Sequence, residues 1–187
     1  MSDALGDRGK DLEDAFFAQQ NKQLVEKMKA ERQKAMSKDS IREVTGIAND
    51  GVLDRLVALN LNGETIAALA LFPLIEVAWA DGAVDENEVA AVLDAAHASG
   101  VLKGSRAHTL IEGWLKLKPP TTLHAAWFNY VQSLCAGMKP DEKAMLKNEL
   151  LGKARQVAEA SGGILGMGNK VSKAESEMLT KLEDAFR

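Results

Sequence analysis

Residues 77–88 read V-A-W-A-D-G-A-V-D-E-N-E, and the fold turns on whether this is a metal loop or a junction between two helices. The second half, Asp81-Gly82-x-Val84-Asp85-x-x-Glu88, matches the back of a calcium-binding EF-hand loop. With Gly82 as the sharp-turn glycine, Asp81, Asp85 and Glu88 take loop positions five, nine and twelve. Positions one and three then fall on Val77 and Trp79, which offer no side-chain oxygen and read as the end of a buried helix. An EF-hand is therefore excluded. As local structure, the same residues spell a helix, a glycine turn and a second helix. Asp85 with Glu88 three residues later makes a capping box, each side chain satisfying a backbone amide at the helix start. Asp81 falls at a helix C-terminus, where the macrodipole disfavours a carboxylate by up to about 1 kcal/mol. It calls for a partner, for water or for a cation.

Working outward, residues 64–80 are apolar almost all round, the pattern of a helix at the centre of a core. Pro73 either kinks this helix or opens a new one, because it lacks the amide a helix interior uses. Gly82 fits a helix C′ position, and the helix capped by Asp85 stops at Gly100. Ser105 opens another, ended by Pro119-Pro120. Thr121 or Thr122 begins a third, carrying Trp127, Tyr130 and Cys135. Pro140 suits a first helical position, and Ser172 with Glu175 makes a second capping box. Upstream, Asn49 and Asp50 cap a short helix over 51–60. Residues 7–38 read as one charged helix with a narrow apolar stripe at Phe17, Leu24, Met28 and Ala35. The sum is seven to nine helices and no strand.

The opening stretch has an echo. Val77-Ala78-Trp79-Ala80-Asp81-Gly82 returns as Val157-Ala158-Glu159-Ala160-Ser161-Gly162, and Val84-Asp85-x-x-Glu88 returns as Val171-Ser172-x-x-Glu175. Between the two parts of the second copy lies a glycine-rich insertion, Gly163 to Lys170. The repeat implies an all-α, compact multi-helix bundle built on a duplicated helix pair (residues 46–187), with residues 1–45 as a charged helical extension.

An A-D-G-x-V-x-x-x-E stretch, preceded by an apolar helix and echoed once, resembles the TerB-like family, all-helical bacterial proteins named after a tellurite-resistance protein. The resemblance covers roughly residues 64–187. It implies a helical bundle with a repeated helix pair, a role in stress response, and acidic residues that take a divalent metal. Carried onto this chain, it places candidate metal carboxylates at Asp81 and Glu88 and, in the second copy, at Glu175, with Asp85 beside them. The position matching Asp81 in the second copy is Ser161, so one carboxylate is missing. Ca²⁺ or Mg²⁺ seeks six or more oxygens. The expectation is weak cation binding at most, and no cofactor is required.

Other chemistry finds little support. Net charge is −4 with few aromatics, which argues against nucleic acid as partner. The longest charge-free apolar run, Thr65 to Ile75, is too short to cross a bilayer, so membrane insertion is not expected. The N-terminal stretch M-S-D-A-L-G-D-R-G-K lacks the apolar core of a signal peptide, and the single cysteine suits a reducing compartment; a cytoplasmic protein is expected. Gly163-x-x-x-x-Gly168-Asn169-Lys170 superficially matches a phosphate loop, but Asn169 displaces the lysine and a helix precedes it. His97, His108 and His124 lie on three helices without metal-ligand spacing, and Cys135 sits among Val131, Leu134 and Met138 as an inert core thiol. Trp79, Trp114 and Trp127 read as core aromatics. No catalytic residues are expected. The reading is a non-enzymatic regulatory or stress-response module with a protein partner. Its rival is a metal-free scaffold that binds through the N-terminal helix and the 162–170 loop.

Overall fold

Helix starts along the chain follow the chemistry of a few capping side chains and prolines. The computed structural model describes the backbone of residues 3–161 and 171–187, and the side chains of Gln19 and of residues 22–160 and 171–187. Ser161's side chain and the 162–170 loop therefore lie outside the described residues. Among the latter there are nine α-helices, a closing 3-10 turn at Asp184–Phe186, and no strand. Helix α1 (Asp3–Thr45) is longer than the sequence implies, running 43 residues. Asn49 caps α2 (Asp50–Ala58), its side chain accepting the Val52 amide at 3.2 Å. The apolar stretch divides into α3 (Ile66–Ala70) and α4 (Phe72–Ala78). Pro73 stands in the first turn of α4, where a missing amide costs nothing, so it opens a helix rather than kinking one.

Asp85 caps α5 (Glu86–Ala98), and Gly100 follows with φ +86, a left-handed conformation that ends the helix cleanly. Ser105 caps α6 (Arg106–Lys116), and Pro120 precedes α7 (Thr121–Cys135). Pro140 is the first residue of α8 (Pro140–Ser161), and Ser172 caps α9 (Lys173–Glu183). One expectation needs correcting. Gly82 has φ +101, but α4 already ends with Trp79 as its C-cap, so Gly82 serves the following turn and not the helix terminus. Trp79 is held there by tertiary structure, its indole N–H donating to the Trp114 carbonyl at 2.8 Å.

The core is built around α4, whose Phe72, Pro73, Leu74, Ile75, Val77 and Ala78 are all buried. Helix α8 packs along both α4 and α5, while α9 closes over α4 and α8. The echoed Val77-Ala78 and Val157-Ala158 are all fully buried. The repeat is thus a repeat of core positions: helix pair α4/α5 packs against helix pair α8/α9. Each Val, Leu or Ile removed from water here contributes about 1.5–3 kcal/mol. Around this centre, α2 bridges α1 and α7, α3 lies on α6, and the closing 3-10 turn seats Phe186 edge-on against Trp127.

Among the described side chains of α1, those at its C-terminal end join the bundle. Ile41 is fully buried, and the Ser40 hydroxyl accepts the Gly63 amide at 3.0 Å. Gly63 has to be glycine for this approach, because a Cβ would sit 2.8 Å from the Ser40 carbonyl oxygen. Lys34 and Lys38 both reach Asp54, at 2.6 and 2.8 Å, and Arg42 reaches Asp50. Residues 22–36, by contrast, are exposed throughout.

Candidate functional site

Both capping boxes form as the sequence spells them. Asp85 Oδ1 accepts the Glu88 amide at 2.8 Å, and Glu88 Oε2 accepts the Asp85 amide at 2.9 Å. In the second copy the Ser172 hydroxyl accepts the Glu175 amide at 3.2 Å, and Glu175 Oε2 accepts the Ser172 amide. The reach-back that completes each box draws its glutamate inward. Glu88 is 3% exposed and Glu175 is 4% exposed, and both stand at the N-termini of helices that flank the α4–α8 contact.

Burial pushes the Glu88 carboxyl up to about 7, and the negative charges of Asp85, Asp81 and Glu175 push the same way. The hydrogen bond from the Asp85 amide opposes them without prevailing. Near neutral pH Glu88 therefore exchanges its proton. Three of the four carboxylates named from the sequence act on Glu88, and the four are unequal in position. Asp81 and Asp85 are exposed, whereas Glu88 and Glu175 are inside. Asp81 Oδ1 accepts the Ala83 amide at 3.2 Å, so water and a turn amide meet the need that its place after α4 creates. Among the described residues no group of three or more His, Cys, Asp or Glu side chains is arranged to hold a metal ion.

No protein-family model, no curated protein and no solved structure matches this chain. Function must be read from the residues themselves.

Two further groupings depend on packing between helices. Glu76, the one acid near the end of an otherwise apolar helix, meets His124 of α7, with Oε2 2.9 Å from Nδ1. The hydrogen bond to Glu76 raises the histidine's proton affinity, against partial burial. A carboxylate inside the most apolar segment was a sequence signal for such a partner, but nothing in the sequence named His124. His97 of α5 and His108 of α6 line one cleft together with Asp94 and Glu112, and His108 Nδ1 lies 3.6 Å from Glu112 Oε2. Lys103 also lines that cleft, and no serine, threonine or cysteine does. Cys135 is buried, and burial raises its thiol, which keeps it in the unreactive protonated form. The three tryptophans do not form one exposed face: Trp127 is fully buried, and Trp114 meets Phe72 edge-on.

Proposed function

We propose that this chain is a non-enzymatic regulatory or stress-response module of the TerB-like kind that docks a protein partner on α1. The reading rests on the exposed run of residues 22–36, in which Leu24 (56%) and Met28 (60%) stand one helical turn apart with Val25 beside them. A helix with an uncovered apolar stripe is marginal in water, and a partner that covers the stripe stabilises it. Six basic residues stand against two acidic ones over 22–38, and the four that do not reach Asp54 (Lys22, Lys27, Lys29 and Arg32) favour an acidic amphipathic helix as that partner. The test is salt-sensitive capture of such a partner from the native cell by the immobilised protein. Met28→Asp, and separately charge reversal of Lys27 and Lys29, are expected to abolish capture while leaving the melting curve unchanged. Capture that survives both substitutions sinks the reading.

A second reading, weak divalent-cation binding through Asp81, Asp85, Glu88 and Glu175, is supported by the like charges of Asp85, Asp81 and Glu175 that act on Glu88, a smaller cause than its burial, which a cation would offset. With two of the four carboxylates buried, affinity in the millimolar range is expected. Millimolar Ca²⁺ or Mg²⁺ should raise the melting temperature, and Asp81→Asn should remove the rise. A wild-type melting temperature indifferent to either ion rules this reading out.

A further inference from the structure

Away from the capping boxes, α3, α7, α8 and the turn after α5 line a half-open cavity of about 200 Å³. Its walls are apolar, formed chiefly by Leu71, Val131, Leu134 and Leu150. Four polar residues break this lining: Tyr130, Lys153, Ser99 and Glu149. Tyr130 is only 7% exposed, and among the described residues nothing hydrogen-bonds its hydroxyl; burial alone governs its acidity. The hydroxyl is not among the fully buried unpartnered atoms, so water meets it in the free protein and a ligand oxygen would take that water's place. Lys153 lies at the rim, its ammonium donating to Ser99 Oγ at 2.8 Å and to Glu149 Oε1 at 2.7 Å. An ammonium has three N–H donors, so one remains for a third acceptor.

We propose that this cavity binds a small, mainly apolar molecule ending in one acceptor oxygen, its carbon chain between α7 and α8 and its oxygen met by Tyr130 and Lys153. The volume sets the size. An apolar cavity of about 150 Å³ holds benzene, so this one takes a ligand of roughly six to ten heavy atoms. The donors set the chemistry, since a phenol O–H and a free ammonium N–H both call for an acceptor such as a carbonyl or carboxylate. Glu149 offsets the lysine charge, so the head group need not be anionic. The site is independent of α1, and its ligand differs in kind from the helical partner proposed above.

The test titrates the full chain with hexanoate and with 2-heptanone, which share the apolar body and differ in head-group charge, following amide shifts by NMR. Binding is expected to move the resonances of Val131, Leu150 and Lys153 saturably. Tyr130→Phe, which removes only the hydroxyl, should weaken binding about fivefold to tenfold. Ala67→Phe, at an exposed position on the cavity mouth, should abolish it without loss of fold. Preference for hexanoate would place the ammonium as the dominant contact, and equal binding would place the phenol there. Absence of saturable shifts with both probes means that the hydroxyl is served by water alone and overturns the proposal. So does binding that Tyr130→Phe leaves unchanged.

Discussion

At the scale of single side chains, the capping role of Glu88 and its charge work against each other. Reaching back to the Asp85 amide takes the carboxylate out of water and toward three like charges. In the folded chain it holds its proton to about 7, against an ordinary 4.5. A carboxyl raised in this way contributes stability fully present below the unfolded value, and loses it as pH rises through the folded one. Glu88→Gln keeps an acceptor for the Asp85 amide and removes the charge. It should therefore stabilise the protein by about 1–2 kcal/mol at pH 8, change little at pH 5, and flatten denaturant midpoints measured across that range. His124, raised by Glu76, contributes in the same direction: its share is present in the acid range and fades as pH rises through its elevated value. Of these groups, sequence singled out Glu88 but not its burial. Burial arises from how α5 lies on α8, which no spacing within residues 85–88 records.

Among the elements, capping carries most of the punctuation. Asn49, Asp85, Ser105 and Ser172 each satisfy an amide three residues ahead. Such contacts span a single turn, and for that reason the helix starts were legible in the sequence. Asp85→Ala and Ser172→Ala should each cost about 1 kcal/mol, read as a shift of the urea midpoint with unchanged slope. The two losses should add closely if the repeats are energetically separate, and fall short of additivity if Glu88 and Glu175 communicate. The end of α4 was not legible, because the indole of Trp79 turns toward a carbonyl thirty-five residues away. Nor was the meeting of Glu76 with His124, which needs α4 and α7 already side by side. The reach of α1 into the core was missed for a related reason. Ile41 follows a long charged run and belongs to the bundle only once Gly63 admits Ser40.

For the molecule as a whole, α1 divides into two lengths with different energetics. Removing residues 1–33 takes away the exposed helix of residues 22–33 and leaves Ile41, Lys38 and the Ser40–Gly63 contact in place. That truncation should melt within a few degrees of the full chain. Removing residues 1–45 also strips Ile41 from the core and should lower stability by about 2–5 kcal/mol, visible as a lower melting temperature and faster exchange of α2 amides. Two similar melts would mean that the bundle closes without α1.

The mutual packing of α4/α5 and α8/α9 also bears on how the chain comes together. Each hairpin carries half of a shared interior and is sticky alone, so neither is a self-sufficient folding unit. Helices α6 and α7 separate them in sequence, and the turn at residues 136–139 leads from α7 into α8. Fragments cut after Met138 should each be loosely ordered in isolation and should reconstitute one cooperative, helical species when mixed at equal concentration. In that respect the duplicated helix pair behaves as an intramolecular dimer, its two halves bridged by α6 and α7, which are packed into the same interior.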